Sequence, residues 1–401
     1  MREGWRRAML GELFDPSNTR LGEHVEELPV FSISKYQGVM PAEEFFDKRV
    51  ASANLANYKL LSADAWVYST IHIDEGSIAC NNTGVDGVVS PMYTVMNWES
   101  RQDDPRYLEH LLRSKEMLAT YSDNAQGSVN RRRSLPWKAF RAIEIALPPL
   151  DEQRRTVDLL AALDDAIEAA EGEATAATGL LDAALDAAVS DSHATVGEVA
   201  TISSGASWGR ADVRTADDDD ALPVLTIANT KPDGSISGGP TYVAGLSEKT
   251  GRLSQSSIVV IRTNGNHNRI GNVYRVEGVY LGAAVSAFQL IIGPTYPDDS
   301  RHLFWMLRRP KFQAEVTAAA SGSTGLGNIA ATKLRAMEIP WPADAEARAV
   351  RVAMYEDMAD SVGAARATAD ALRNLRSNLL TVLLSGEHEI PASYEALLEV
   401  A

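Results

Sequence analysis

The sequence predicts an α+β protein: two pseudo-symmetric mixed α/β domains separated by two long antiparallel coiled-coil helices. Three observations lead to this prediction. Short segments recur about 194 residues apart, each copy contains both strand-like and helix-like segments, and a heptad pattern follows each copy. At about 150 residues per domain, the 401 residues leave room for two or three domains.

The repeat is visible in three pairs of segments that occur in the same order. Residues 28–33 (LPVFSI) recur as LPVLTI 194 residues later, and residues 140–145 (FRAIEI) recur as LRAMEI at the same offset. Earlier in each copy, LGEL at 10–13 has a counterpart VGEV at 196–199. The predicted division is 1–150 for the first domain, 151–194 for the first helix, 195–342 for the second domain, 343–385 for the second helix and 386–401 for a C-terminal tail.

Within each copy the pattern alternates between strand-like and helix-like segments. Enrichment in β-branched and aromatic residues predicts strands at 29–34, 66–70, 88–96, 224–228, 257–262, 271–276 and 288–292. Helical spacing of Leu, Met and Phe predicts helices at 107–121 and 302–319.

Each domain ends at prolines and is followed by a long heptad pattern. The first seam is Leu160, Leu163, Ile167, Ala170, Ala174, Ala177, Leu181, Ala184 and Ala188. The second seam lies 195 residues later: Tyr355, Met358, Val362, Ala365, Ala369, Leu372, Arg376, Leu379 and Leu383. A lone helix cannot bury such a stripe, so we expect the two helices to pack against each other. The alternative is that each helix packs on its own domain or on a partner subunit.

Composition and charge narrow the class of protein. The single cysteine, Cys80, excludes a disulfide framework and a Cys-based zinc site. No apolar run is long enough to span a membrane, so we expect a cytoplasmic protein with no membrane partner. The net charge of −16 is uneven: the helical blocks carry −9 and −5, whereas the domains carry −3 and +1. A polyanionic partner is therefore expected only at the domains.

Motifs for catalysis within this chain are absent from the sequence. There is no Walker A motif, no His-Glu-x-x-His and no Gly-x-Ser-x-Gly, and the seven histidines lack metal-ligand spacing. The glycines at 322–327 follow a predicted helix rather than a strand, which favours a loop over a dinucleotide site. We therefore predict no enzymatic activity and no metal site in this chain.

Polar loops at equivalent places in the two copies suit a nucleic acid, because Arg, Asn and Gln bind phosphates and base edges. The candidate DNA-binding residues of the first copy are Lys35, Tyr36, Thr70, Asn81, Gln126, Ser128, Asn130, Arg131, Arg132 and Arg133. Those of the second copy are Asn229, Lys231, Arg262, Asn264, Asn266, Asn268, Arg269, Ser323 and Asn328. The competing interpretation is that the Asn/Gly runs form turns and that the arginines lie on a solvated face.

The order of these parts resembles the specificity (S) subunits of type I restriction–modification systems. LPPLDEQ at 147–153 is similar to the family's motif at the entry to its first spacer helix, and LLSG at 383–386 is similar to its second-helix ending. GSVN at 127–130 and the segment 322–328 resemble its polar loop before the last strand of each domain. The second helix entry, at 341–346, departs from the pattern.

The resemblance implies two target-recognition domains, each reading one half of a bipartite double-stranded DNA target, and helices that set the spacing between the half-sites. It also implies docking of methyltransferase (M) subunits and, through them, restriction (R) subunits. No cofactor is expected in this chain, since S-adenosylmethionine, ATP and Mg²⁺ are expected on the partner subunits.

Two other functions remain open on the sequence. A methyltransferase in its own right would need an Asn/Asp-Pro-Pro-aromatic motif, but the only Pro-Pro pair, at Pro148, is followed by Leu150. An orphan or decoy scaffold would bind methyltransferase subunits without productive DNA recognition.

Overall fold

The structure is a computed structural model that describes residues 2, 4–22, 28–45, 55–126, 133–188, 192–216, 218–321 and 325–394. It divides into two compact units. Unit 1 comprises Met1–Ala169 and Ala369–Ala401, and unit 2 comprises Ala170–Thr368. This division differs from the five predicted ranges, because each unit includes part of both long helices.

The elements before the first long helix all belong to unit 1. They are β1 (Arg6–Met9), α1 (Leu10–Leu13), β2 (Phe14–Ser17), β3 (Val30–Ser34), β4 (Gly38–Pro41), α2 (Ala42–Phe45), β5 (Lys59–Leu61), β6 (Trp66–Ser69), β7 (Ile78–Cys80), β8 (Gly87–Val89), β9 (Tyr93–Trp98), α3 (Pro105–Leu112), α4 (Lys115–Asn124), α5 (Trp137–Phe140) and β10 (Glu144–Leu147). The strands form two four-stranded sheets, β2-β9-β6-β7 and β4-β3-β8-β5, and the pair β1-β10.

The first long helix, α6 (Leu150–Asp186), leads into unit 2, and the second, α11 (Ala345–Leu384), leaves it. The elements that follow α6 are β11 (His193–Thr195), α7 (Val196–Val199), β12 (Ala200–Ser204), β13 (Val213–Arg214), β14 (Leu222–Leu225), β15 (Thr241–Val243), β16 (Ile258–Ile261), β17 (Thr263–Asn264), β18 (Val273–Arg275), β19 (Ala284–Val285), β20 (Gln289–Pro294), α8 (Ser300–Arg308), α9 (Pro310–Ala319), β21 (Gly327–Asn328), α10 (Ala331–Ala336), β22 (Glu338–Pro340) and α11 (Ala345–Leu384). Their sheets are β12-β20-β16-β18 and β13-β15-β14-β19, with the pairs β17-β21 and β11-β22.

The two units share the order of the first sheet and three strands of the second, whose fourth strand lies at opposite edges: β5 pairs with β8, whereas β13 pairs with β15. In each, the first sheet is antiparallel, with β6 between β9 and β7 in unit 1 and β16 between β20 and β18 in unit 2. In each, the second sheet contains one parallel pair, β3 with β8 or β14 with β19. The mixed helix and strand content that the sequence predicts is confirmed.

Several predicted elements are divided in the structure. The predicted strand 88–96 is two strands, β8 and β9, because residues 90–93 form a turn. The predicted helix 107–121 breaks where the Ser114 side chain caps α4 by accepting from the Met117 amide. The predicted helix 302–319 breaks at Pro310, which has no amide hydrogen to continue α8.

Every residue of both predicted seams is buried or half-buried. The helices also pack on the rest of their units, since Leu181, Leu185 and Tyr355 belong to the main core of unit 2. In this core the ring centroids of Trp305 and Tyr355 lie 6.0 Å apart. The polar seam residue Arg376 forms an ion pair with Asp164 of α6. A seam residue without an apolar side chain is therefore explained by a charge on the facing helix.

The two helix entries are fixed by the same kind of contact, although their sequences differ. The buried Gln153 amide donates to the Pro148 carbonyl (2.9 Å) and to Asp103 Oδ1 (2.8 Å). Arg348 lies 195 residues later and donates to the Pro342 carbonyl (2.7 Å) and to Asp299 Oδ1 (2.8 Å). The departure of segment 341–346 from the first entry is thus compensated by an arginine.

Candidate nucleic-acid interface

In unit 1, the loop that follows β6 lies beside two other polar loops. The Leu135 amide donates to the Thr70 carbonyl at 2.8 Å, which ties the end of β6 to the segment that contains the predicted arginines. A Cβ built on Gly76, just beyond the same loop, would lie 3.7 Å from Lys35 Cβ. The structure therefore brings Thr70 close to the segment around Ser134, and Gly76 close to Lys35.

The described candidates of unit 1 offer both charge and hydrogen-bonding groups. Lys35 and Tyr36 are exposed, and the Lys35 ammonium lies 5.1 Å from the centroid of the Tyr36 ring. Gln126 is exposed, and its backbone pairs with Ser134 at 2.8 and 2.9 Å. Arg133 is half-buried and donates to the Ala125 carbonyl at 2.8 Å. The predicted contacts Ser128, Asn130, Arg131 and Arg132 lie outside the described residues.

Asn81 corrects the sequence prediction. Its side chain is fully buried, and its amide donates to the carbonyls of Ser62 (3.0 Å) and Val85 (2.9 Å). Its carbonyl oxygen accepts the Thr83 hydroxyl at 2.7 Å. Because these groups are already bonded, Asn81 holds the loop after β7 and does not face a ligand.

In unit 2, the loop after β16 meets the segment around Asn328. Strand β17 pairs with β21, and the Ile329 amide donates to the Arg262 carbonyl at 2.8 Å. Arg262 Nε donates to Asn328 Oδ1 (3.2 Å), which also accepts the Thr263 hydroxyl (2.7 Å). The contact from Ile329 to Arg262 matches that from Leu135 to Thr70, so the two units build the same junction.

The second part of this loop lies against the segment after β14. Arg269 Nη2 donates to the Thr230 carbonyl at 2.5 Å, and the Lys231 ammonium donates to the Ala228 carbonyl at 2.7 Å. Asn266 and Asn268 are exposed, while Arg262, Asn264 and Arg269 are half-buried. Asn264 and Asn266 each accept a backbone amide two residues ahead, at 2.8 and 3.1 Å, so these residues also shape the turn.

Asn229 is the second correction, and Ser323 lies outside the described residues. The buried Asn229 amide donates to the Gly239 carbonyl at 2.9 Å, and its oxygen accepts the Thr226 hydroxyl at 2.9 Å. It is therefore a structural residue. Ser204 is a further candidate that the sequence does not indicate, because its hydroxyl lies 3.4 Å from Arg262 Nη1. Ser204 comes from β12, and nothing in the sequence joins that strand to the Arg262 loop.

The titratable groups with the largest described shifts lie in the protein interior. Burial raises the pKa of the Cys80 thiol to about 12, which leaves it protonated and unreactive at neutral pH. Burial lowers the pKa of His110 and of His302 to about 4.

Among the described residues, no group of three His, Cys, Asp or Glu side chains is placed to hold a metal ion. Within the same part of the chain, no helix is both long and apolar enough to cross a membrane.

Comparisons with known proteins identify the fold. No protein-family model matches the sequence, and no curated protein matches it significantly. A chain from a structure of "complex assembly and conformational transition of the type I R-M system" has a TM-score of 0.66 and 18% identity, covering 96% of this chain and 98% of that one. The HsdS subunit from Thermoanaerobacter tengcongensis has a TM-score of 0.52 and 18% identity, covering 97% and 98%. Over nearly its whole length, the chain therefore has the fold of the HsdS specificity subunits of type I restriction–modification systems.

Proposed function

We propose that this chain is the sequence-specific DNA-binding subunit of a type I restriction–modification complex. In this role it recognises a bipartite target in double-stranded DNA and directs the methyltransferase and restriction subunits to it. The observation that carries the proposal is the junction found in both units, where polar and basic loops meet at the end of β6 and of β16. Such loops supply the donors and acceptors that DNA recognition needs.

The finer architecture belongs to the same proposal. We take the two units as pseudo-symmetric target-recognition domains, and α6 with α11 as an antiparallel coiled coil that sets the distance between half-sites. Two side-chain contacts support the helix direction. Asp164 of α6 forms an ion pair with Arg376 of α11. Thr178 lies further along α6 and accepts a hydrogen bond from Arg366, which comes earlier on α11.

The division of labour within the complex belongs to the same proposal. The chain contributes recognition, the methyltransferase subunits bind S-adenosylmethionine, and the restriction subunits bind ATP and Mg²⁺. The acidic helices repel DNA, so partner subunits supply further phosphate contacts.

The proposal is tested by duplex binding of the full chain in complex with its methyltransferase subunit, over a range of salt concentrations. Arg262→Ala is expected to weaken binding several-fold and to lower the slope of log K against log salt by about one. Arg275→Ala is the matched control, because Arg275 pairs with Ile258 at the other end of β16. A complex that assembles but shows no salt-dependent binding of duplex DNA would instead support the decoy scaffold.

A further inference from the structure

One exposed apolar side chain occupies the same turn in each unit. In unit 1 the Tyr93 amide donates to the Ser90 carbonyl at 3.0 Å, and the third residue of this turn, Met92, is 63% exposed. In unit 2 the Gln289 amide donates to the Ser286 carbonyl at 2.9 Å, and the third residue, Phe288, is 49% exposed. Both turns begin with serine and present an apolar side chain to solvent.

The two turns also occupy the same place in the sheet. Tyr93 pairs with Ser69, the last residue of β6, and Gln289 pairs with Ile261, the last residue of β16. Met92 and Phe288 therefore lie opposite the residues that open the polar loops. The Thr70 hydroxyl donates to the Met92 carbonyl at 3.4 Å, and the Arg262 amide donates to the Phe288 carbonyl at 2.9 Å.

Isolated exposed apolar residues are common and need no explanation by themselves. These two differ because the position is repeated and because each adjoins groups suited to a polyanion. In unit 2 the ring of Phe288 also lines an open cavity of about 350 Å³ together with Trp208 and Ile227. An apolar surface thus continues beside the half-buried Arg262.

The chemistry of the proposed ligand limits what such side chains can contact. Along the major groove, the one apolar group that base pairs present is the C5-methyl of thymine. Met and Phe differ in shape, as expected for two domains that read different half-sites. We infer that Met92 and Phe288 are specificity-determining residues that pack on thymine methyl groups, an inference that rests on the proposed function.

The test uses the full chain bound to its methyltransferase subunit and a duplex that carries the target found by methylation sequencing. Each thymine is replaced in turn by deoxyuridine, which removes only the methyl group. At one or more positions of the unit 2 half-site, the wild-type complex is expected to bind about fourfold more weakly, the value of one buried methyl group. The same replacements are expected to leave the binding of Phe288→Ala unchanged, and Met92→Ala should behave alike in the other half-site.

Two exposed apolar residues away from these turns provide matched controls. Tyr296, 68% exposed, lies beyond the far end of β20, and Val85, 53% exposed, lies in the loop after β7. Tyr296→Ala and Val85→Ala should keep the wild-type response to deoxyuridine. All four side chains are exposed, so the variants are expected to fold.

The outcomes separate this inference from the proposed function. If the complex discriminates its target but no deoxyuridine effect depends on Met92 or Phe288, the inference is overturned. If the complex does not distinguish the target from a scrambled duplex and Arg262→Ala binds like wild type, the proposed function itself fails.

Discussion

At the scale of single residues, the decisive distinction is between amides that shape a loop and amides that face outward. Asn81 and Asn82 are adjacent and chemically identical, yet the first is buried and the second is exposed. The sequence predicts polar loops here, but it does not show which side chain turns inward, because that depends on the carbonyls of distant residues such as Ser62. Residue roles within a loop are therefore the least predictable part of the site.

This distinction predicts different effects on stability. Asn81→Ala removes the buried amide that donates to the carbonyls of Ser62 and Val85, and we expect it to lower the free energy of unfolding by about 2 kcal/mol. The matched variant Asn82→Ala should change it by less than about 0.5 kcal/mol, since Asn82 is exposed. Urea unfolding measures both values, and equal effects would contradict the structural role of Asn81.

At the scale of elements, the entry to each long helix shows how different sequences build one junction. Gln153 donates to the Pro148 carbonyl and to Asp103, which lies just before α3. Arg348 donates to the Pro342 carbonyl and to Asp299, which lies just before α8. The repeat offset predicts that the two helix entries correspond, whereas the exchange of an amide for a guanidinium appears only in the structure. The breaks after α3 and α8 likewise depend on Ser114 and Pro310, local signals that the apolar periodicity overrode in the sequence analysis.

The contacts of Gln153 at the entry to α6 are expected to contribute substantially to stability. Gln153→Ala removes the acceptor of the Asp104 amide and the donor to Asp103 Oδ1 in a buried site, so the free energy of unfolding should fall by about 2 kcal/mol. Arg154→Ala is the control, because Arg154 is next to Gln153 in the chain and its own side chain is largely exposed. Urea unfolding that places both variants at the wild-type midpoint would contradict this account of the helix entry.

The buried His302 of helix α8 is expected to make the stability of the fold depend on pH. Burial lowers the pKa of His302 to about 4, and the nearby charges of Arg348 and Arg351 also lower it, whereas the backbone carbonyl of Pro340 acts in the opposite direction. The unfolded chain binds this proton near pH 6.5, so His302 costs stability as the pH falls from 6.5 towards 4. Between pH 7 and pH 5 the loss should be about 2 kcal/mol.

The variant His302→Gln, which does not titrate, isolates this contribution. Its loss of stability between pH 7 and pH 5, measured by urea unfolding followed through tryptophan fluorescence, should be smaller than that of the wild type by the same amount. His110, whose pKa is lowered in the same direction, remains in the variant and accounts for residual pH dependence. An unchanged difference between the two pH values would contradict the burial of His302.

At the scale of the whole molecule, the prediction of two similar domains and two long helices rests mainly on the internal repeat. Segments 194 residues apart correspond to the equivalent strands β3 and β14, and the seams correspond to buried or half-buried positions on α6 and α11. The junction of Thr70 with Leu135, and of Arg262 with Ile329, was beyond prediction because it joins residues 65 or more positions apart. Periodicity reports local structure, whereas a binding surface depends on such distant pairings.

The central claim, that two recognition domains read a bipartite target, is tested most directly by the pattern of DNA methylation. The chain and its methyltransferase subunit are co-expressed in a methylation-free host, and modified bases are sequenced genome-wide. We expect one bipartite motif with methylated adenine in both half-sites and a fixed spacer. A continuous motif would contradict recognition by two domains, and no methylation, with a methyltransferase shown to be active with another specificity subunit, would contradict the assignment to DNA recognition.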